Sequence, residues 1–240
     1  MTIGTQASDG IEAAWVNATV SVPQHITASG KFCRGRASAR QIAACIADVK
    51  PSARIAAIIF MHGCDGMNKD FVAALGNTGL PVFAPDSFAA GGRKQDCRVG
   101  ADKKSILRLR LKEAAYAVKQ AAALEWVDEN HIILAGFSEG GVTAALYEHG
   151  GVKAKMIFGW SCNSLDPWWR GVRGPASVPV LAVAGEQDEY HQNRSNRGDC
   201  GKFIAGRKNS RSVVIPRAPH NIVRYEETRA AIANFVRALW

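Results

Sequence analysis

The sequence of 240 residues has no apolar run that approaches the ~20 residues needed to cross a bilayer, so no membrane span is expected. It also has no internal repeat, low-complexity tract or linker. We therefore expect a single domain over residues 1–240, in which 54–240 form the regular core and 1–53 are harder to interpret. Hydrophobic residues make up 47% of the chain, which is enough to build a substantial interior.

Metal-binding spacings are also missing. None of the six cysteines forms a C-x-x-C motif, and no set of cysteines and histidines has zinc-ligand spacing, so no metal site is expected. The formal charge is +9, yet there is neither a zinc-finger pattern nor an aromatic and basic RNA-binding motif. Lys104, Arg108 and Lys112 recur at helical spacing opposite an apolar stripe, which indicates a solvated helix face. Nucleic acid is therefore not an expected partner.

The first six residues lack the charged start and apolar stretch of a secretory signal, which makes the cytoplasm the default location. A mature form of a longer chain would look the same, and paired cysteines would instead favour the periplasm or the cell exterior. No feature of the sequence indicates an oligomeric state.

Apolar segments alternate between the patterns of strands and of helices. Continuous apolar runs such as 55–61 are typical of strands buried on both faces. The predicted strands are 16–22, 55–61, 81–84, 131–135, 155–159, 178–184 and 212–216, and the predicted helices are 37–49, 69–75, 103–124, 141–147 and 225–239. A polar loop is expected over 86–100. This alternation predicts an α/β fold with a mostly parallel central sheet and helices on both faces.

The segment 136–140 reads G-F-S-E-G and matches the G-x-S-x-G pattern of a nucleophile elbow. In that motif the serine occupies a tight turn between a strand and a helix, where its neighbours must be small. Ser138 has the required context, because a predicted strand precedes it and a predicted helix follows it. The alternative is a glycine-rich turn that happens to contain a serine.

A serine hydroxyl needs a base, and the base needs a carboxylate to orient it. Asp188 follows the predicted strand 178–184, at the edge where sites of parallel sheets gather. Glu186 and Glu189 are neighbouring alternatives for the acid. His220 lies downstream of the acid, after the last predicted strand and before the last predicted helix. The chain order Ser138, Asp188, His220 is the order typical of α/β-hydrolases.

An oxyanion hole needs two backbone N–H donors. The residue after the nucleophile, Glu139, is expected to supply one. The loop after the first core strand reads H-G-C-D-G at 62–66, and the amide of Cys64 is the expected second donor. His62 is expected to pack or to bind its own loop rather than to take part in the chemistry.

Together these segments resemble the dienelactone hydrolase-related branch of the α/β-hydrolase superfamily. The resemblance rests on H-G-C-D-G at 62–66, P-D-S-F at 85–88, G-F-S-E-G-G at 136–141, Asp188 and His220, and it covers roughly residues 54–240. It implies an α/β-hydrolase fold with neither a metal nor an organic cofactor. Founding dienelactone hydrolases use a cysteine nucleophile, whereas this chain has Ser138. That departure favours general ester hydrolysis over a restriction to lactones.

If the chain has this fold, Cys64 and Cys97 lie near the edge of the site, where a bond between them would hold the 86–100 loop. Cys162 and Cys200 flank the strand that carries the acid and form a second candidate pair, which leaves Cys33 with Cys45. Spacing does not decide the connectivity, and six buried thiols remain the alternative.

Aromatic residues after the strand 155–159 are candidates for the lining of a substrate pocket: Trp160, Trp168 and Trp169. They could equally pack their loop onto the core. Arg93, with Lys94 and Arg98, could attract an anionic ester, although an exposed basic loop is the simpler interpretation.

The sequence thus predicts a hydrolase of carboxylic esters, including lactones, that uses Ser138, Asp188 and His220 and forms an acyl-enzyme. The expected partner is a small-molecule ester. The same residues could serve acyl transfer or peptide cleavage. A binding protein with a hydrolase fold is the alternative from another class, although it would have no need of all three residues.

Overall fold

The computed structural model describes residues 5–240 except 92, 94, 96, 98–102, 194 and 195, with side chains described from residue 10 onward. The described residues form one eight-stranded sheet. Its strands are β1 (Thr19–Val22), β2 (Cys33–Arg36), β3 (Ile55–Met61), β4 (Val82–Ala84), β5 (Val127–Phe137), β6 (Ala154–Phe158), β7 (Val180–Gly185) and β8 (Arg211–Ile215).

The strands follow the order β2-β1-β4-β3-β5-β6-β7-β8 across the sheet. β1 pairs antiparallel with β2 and β4, and every other neighbouring pair is parallel. The carboxyl ends of β3, β5, β6, β7 and β8 therefore meet at one edge of the sheet, where sites of open α/β sheets form. The predicted α/β fold with a mostly parallel sheet is confirmed.

Helices cover both faces of the sheet. They are α1 (Thr5–Val16), α2 (Arg40–Ala47), α3 (Lys69–Gly76), α4 (Lys103–Ala122), α5 (Glu139–Leu146), α6 (Gly201–Ile204) and α7 (Glu226–Arg237). Residues of α2, α4 and α5 pack in one buried apolar cluster, and residues of α3 and α7 pack in a second cluster. Lys104, Arg108 and Lys112 lie on the exposed side of α4, as their spacing predicts.

The N-terminal region differs from the prediction. The strand predicted at 16–22 begins only at Thr19, and α1 precedes it. α1 has no clear apolar stripe of its own; Ala14 is buried, and the ring of Trp15 stacks on Phe83 with centroids 5.3 Å apart. β2 was not predicted, because its sequence, C-R-G-R, alternates charged residues on an edge strand and gives no apolar signal.

Three disulfide bonds join the candidate cysteine pairs. Cys33 and Cys45 link β2 to α2, and Cys162 and Cys200 link the segment after β6 to the start of α6. The third bond joins Cys64 to Cys97 and ties the loop after β3 to the loop after β4. No described cysteine is left as a free thiol.

No helix within the described ranges is both long and apolar enough to cross a membrane. β1 and β2 extend the same sheet as the core strands. The assignment of 1–240 to a single domain stays a prediction.

Candidate active site

Ser138 occupies the turn between β5 and α5 in a conformation that few residues adopt. Its φ is 54° and its ψ is −116°, outside the regions where a side chain is free of strain. The turn is held by a hydrogen bond from the Ser138 amide to the Phe158 carbonyl (2.9 Å) and by one from the Val142 amide to the Ser138 carbonyl (2.9 Å). The strained backbone presents the hydroxyl at the edge of the sheet, next to the N-terminus of α5.

Glycine is required on both sides of this turn by close backbone contacts. A Cβ on Gly136 would lie 2.0 Å from the carbonyl oxygen of Gly140. A Cβ on Gly140 would lie 1.9 Å from the carbonyl oxygen of Met61. Because these neighbours are backbone atoms, they have little freedom to move aside. The G-x-S-x-G spacing therefore follows from the packing of β5 and α5 against β3.

Asp188 and His220 are brought together by the segments that follow β7 and β8. His220 Nδ1 lies 2.7 Å from Asp188 Oδ2, in hydrogen-bonding geometry, and the Asp188 side chain is fully buried. The His220 amide also donates to Glu189 Oε2 at 3.1 Å. Burial raises the pKa of Asp188, but the neighbouring rings of His191 and His220 outweigh that effect and leave the pKa below its usual range.

Ser138 and His220 line one cavity of about 340 Å³. The Ser138 hydroxyl has no hydrogen bond to His220 or to any other described residue; in structures without substrate, such bonds are often long. The cavity is also lined by Trp160, Trp169 and Tyr190. The predicted site residues Ser138 and His220 thus open onto an apolar, aromatic cavity, with Asp188 buried behind His220.

Cys64 and Glu139 also line this cavity, and the Cys64–Cys97 disulfide forms part of its wall. The amides of Cys64 and Glu139 donate to no other described residue. An amide at the first position of α5 has no partner within its helix, and the helix dipole adds positive potential there. Both residues of the predicted oxyanion hole therefore line the same cavity as Ser138, with amides that no described residue engages.

The profile of the dienelactone hydrolase family matches residues 42–232. The chain belongs to the dienelactone hydrolase family. Its members are hydrolases, and this one is a carboxylic-ester hydrolase acting on a small-molecule ester. No curated protein sequence matches the chain significantly.

Solved structures show the same fold at low identity. Esterase PE8 is 16% identical with a TM-score of 0.56, over 79% of this chain and 94% of that one. The hyperthermophilic esterase from the archaeon Pyrobaculum calidifontis is 15% identical with a TM-score of 0.54, over 98% of this chain and 90% of that one. These likenesses place the family member among α/β-hydrolase folds.

A buried network of charged residues lies beneath the site of this dienelactone hydrolase family member. Arg110, on α4, donates from Nη1 to Glu113 Oε2 (2.8 Å) and from Nη2 to the His62 carbonyl (2.7 Å). Its Nε lies 3.5 Å from Glu139 Oε1. Arg93 pairs with the same Glu139 oxygen and also donates to Ser87 Oγ.

Ser87 and His62 close the network. Ser87 Oγ donates to Glu113 Oε1 at 2.7 Å, and the Ser87 amide donates to His62 Nε2 at 3.0 Å. His62 Nδ1 therefore carries the hydrogen and donates to the Gly63 carbonyl at 2.7 Å. Burial, with Arg110 nearby, holds the pKa of His62 well below its ordinary value, so the ring is neutral. The network joins the loop after β3 to α5, the helix that follows Ser138.

Two of the predicted pocket residues lie elsewhere. Arg93 does not line the cavity, because its guanidinium is engaged by Glu139 and Ser87 and covers the ring of Phe88. Trp168 packs beneath basic side chains: Lys104, Arg108 and Arg173. Trp160 and Trp169 do line the cavity. Lys94 and Arg98 lie outside the described residues.

Three residues of the site region were not predicted from the sequence. Arg110 and Glu113 fall on the buried side of α4 together with Leu107, and two opposite charges three residues apart on an apolar stripe are a signal of a buried pair. The third is His191, which follows Asp188 by three residues. When an acid stands at the start of a 3₁₀ turn, a histidine three residues later can fold back onto that acid.

We expect Arg110→Met to lower the free energy of unfolding by about 3–5 kcal/mol, because it leaves Glu113 buried without its cationic partner. Lys112→Met is the matched control, since it removes a charge from the exposed side of the same helix and should change stability by no more than about 0.5 kcal/mol. Urea denaturation followed by fluorescence measures both variants. Equal unfolding midpoints for the two would contradict the proposed importance of the network.

Proposed function

We propose that this chain hydrolyses carboxylic esters with Ser138 as nucleophile, His220 as base and Asp188 as the residue that orients the base. The observation that carries the proposal is that the strained Ser138 turn and His220, which is hydrogen-bonded to the buried Asp188, open onto one cavity. The nucleophile, the base and the acid follow one another in the chain order typical of α/β-hydrolases.

In the first half of the reaction, His220 Nε2 takes the proton of the Ser138 hydroxyl while Oγ attacks the ester carbonyl carbon. Nδ1–H stays bonded to Asp188, which stabilises the imidazolium that forms. The negative oxygen of the tetrahedral intermediate is bound by the amides of Cys64 and Glu139. The intermediate collapses when the alkoxide leaves with the proton from His220, and the acyl group remains on Ser138.

In the second half, water takes the place of the alcohol. His220 removes a proton from the water as it attacks the acyl carbon, and the proton then returns to Ser138 Oγ as the carboxylic acid leaves. A lactone would be opened by the same two steps, with its alcohol and acid remaining one molecule.

The buried network supports the oxyanion hole in this mechanism. The side chain of Glu139 is held by Arg93 and Arg110, and Arg110 also binds the carbonyl of His62, two residues before Cys64. The two amides that bind the oxyanion thus belong to segments fixed to one guanidinium. Such preorganised donors need no rearrangement when charge develops.

The cavity favours a small, uncharged ester over an anionic one. Its walls are largely apolar, with Val142, two tryptophans and Tyr190, and transfer of a carboxylate into such surroundings is costly. Arg93 is already paired with Glu139, and Lys103 at the cavity has a partner of its own. Both Arg93 and Lys103 are therefore already engaged, and an anionic substrate would have to displace their partners to pair with either of them.

We expect kcat/KM for nitrophenyl butyrate to exceed that for the nitrophenyl monoester of succinic acid by at least about tenfold at low ionic strength. The two acyl groups have similar length, so the comparison isolates the terminal carboxylate. Equal values, or a preference for the succinyl ester, would support recognition of anionic esters instead.

Three disulfide bonds favour an oxidising compartment, either the periplasm or the cell exterior. In the cytoplasm, reducing systems keep cysteines in the thiol form. The pairing of the cysteines thus favours the periplasm or the cell exterior over the cytoplasm as the location of the protein.

A fluorophosphonate probe tests the nucleophile directly. We expect the probe to modify one serine of the folded protein, which peptide mapping identifies as Ser138, and the label to be absent from Ser138→Ala. Folded wild-type protein that takes no label would favour a binding protein with a hydrolase fold. Product analysis in the presence of added alcohols or amines would show whether acyl transfer competes with hydrolysis.

A further inference from the structure

A second histidine shares the carboxylate of Asp188. His191 Nδ1 lies 3.0 Å from Asp188 Oδ2, the same oxygen that His220 Nδ1 contacts at 2.7 Å. His191 is largely buried, with its ring edge-on to Trp160 at 5.5 Å and to His220 at 6.1 Å between centroids. The mechanism above gives His191 no role.

Local hydrogen bonds fix the position of His191. The 3₁₀ turn Glu189–His191 starts at Asp188, whose Oδ1 accepts the Tyr190 amide at 3.0 Å. The His191 amide donates to the Asp188 carbonyl at 3.0 Å, and the Gln192 side chain donates to that carbonyl at 2.7 Å. The tight turn therefore returns the imidazole to the acid three residues before it.

The contact determines where the hydrogen of the ring lies. A nitrogen lone pair only 3.0 Å from a carboxylate oxygen would be repelled, so Nδ1 of His191 carries a hydrogen. That N–H is not aligned with Oδ2 as a hydrogen bond requires, and the interaction is therefore mainly electrostatic. One carboxylate charge consequently serves two imidazole rings.

We propose that His191 is a positioning residue that competes with His220 for the charge of Asp188 and thereby keeps His220 unprotonated, and the enzyme active, at lower pH. The proposal rests on the proposed function, since it takes His220 as the base. A base that is protonated in the free enzyme is unable to accept the Ser138 proton. Drawing part of the Asp188 charge toward His191 makes protonation of His220 less favourable.

Other charged groups face the same region. Glu186, Arg197 and Asp199 line a cavity of about 260 Å³ on one side of His191, and Lys103 and Glu139 line the site cavity on the other. Tyr190, whose ring is edge-on to His220 at 4.6 Å, is a further titratable neighbour. Among the described residues, only Asp188 carries an acidic side chain that contacts both rings.

The pH dependence of kcat/KM tests the proposal in His191→Leu, which removes the ring hydrogen, and in His191→Asn, whose amide can place an N–H where Nδ1 lies. We expect the acidic midpoint to rise by about 0.5–1 pH unit in His191→Leu, which is a loss of about three- to tenfold in kcat/KM below that midpoint. His191→Asn should keep the midpoint within about 0.2 unit of wild type. The assay uses a neutral nitrophenyl ester read at an isosbestic wavelength.

An unchanged or lowered midpoint in His191→Leu overturns the proposal, and so does an equal shift in both variants. A change in KM alone, with the midpoint unmoved, would instead make His191 part of the substrate pocket and overturns it as well. If His191→Leu does not fold, His191→Gln takes its place, because its amide extends beyond the position of Nδ1. Failure of the proposed function would appear separately, as label and activity that survive in Ser138→Ala.

Discussion

Ser138→Ala should lower kcat for short-chain nitrophenyl esters by about 10⁴–10⁶-fold and abolish labelling by a fluorophosphonate. In the proposed mechanism, this mutation removes the only atom that forms the acyl-enzyme. It should leave the fold intact, because the hydroxyl makes no hydrogen bond to a described residue and alanine carries the same Cβ into the strained turn. The remaining rate would come from substrate binding and the oxyanion amides alone.

Ser164→Ala is the matched control for this variant. Ser164 lines the same cavity, but its Oγ only accepts the Asp166 amide at 3.1 Å within its own loop. We expect its kcat to stay within about threefold of wild type, because the substitution removes one hydrogen bond within its own loop and no group of the proposed mechanism. Burst kinetics and thermal unfolding of both variants complete the measurement. A Ser138→Ala enzyme that retains a tenth of the wild-type rate would remove Ser138 as the nucleophile.

Asp188→Asn should lower kcat by about 10⁴-fold, an effect of the size that mutation of a triad aspartate produces. An amide NH₂ facing His220 would turn the imidazole to the tautomer with its hydrogen on Nε2. That nitrogen could then no longer accept the proton of Ser138. The hydrogen bond of 2.7 Å between Asp188 Oδ2 and His220 Nδ1 is the contact that this substitution reverses.

Glu189→Gln tests whether Asp188, and not its acidic neighbour Glu189, orients His220. Glu189 Oε2 accepts the His220 amide, a bond that a glutamine oxygen can also accept, and we expect a loss of less than about tenfold. If the two variants lost activity equally, the orienting acid would be misassigned. Circular dichroism at neutral pH checks that both variants are folded.

The ionisation of Asp188 should also make the free energy of unfolding of the wild type depend on pH. Since the folded-state pKa of Asp188 lies below its unfolded value, its carboxylate stabilises the fold above about pH 4, and that stabilisation is lost as the pH falls further. Asp188→Asn lacks this contribution at every pH, so its stability should fall less steeply in acid than that of the wild type.

The central strands and the Ser138 turn were predictable because their physical causes are local. A parallel strand buried on both faces must be apolar throughout, and the predicted 55–61 matches β3 residue for residue. The glycines around Ser138 follow from backbone clashes that a motif records directly. The roles of Ser138, Asp188 and His220 stay predictions, although the structure brings His220 against Asp188 and opens Ser138 onto the same cavity.

What the sequence did not reveal depends on contacts between distant segments. α1 packs through Trp15 on Phe83, sixty-eight residues further along the chain, so its own pattern gives little indication of a helix. The engagement of Arg93 by Glu139 depends equally on folding, because a basic residue in a loop sequence normally indicates an exposed side chain. His191 was overlooked because only the geometry of the turn after Asp188 returns its ring to the acid.

The buried charges beneath the site also constrain how this protein can evolve. Arg93, Arg110, Glu113 and Glu139 balance two positive charges with two negative ones, and their side chains have almost no access to water. A single substitution leaves a buried charge without its partner and lowers stability, whereas replacement of a whole pair by apolar residues can leave stability unchanged. Relatives that have lost this network should therefore have changed its partners together, and the intermediates with one partner missing should have been the least stable proteins on the path.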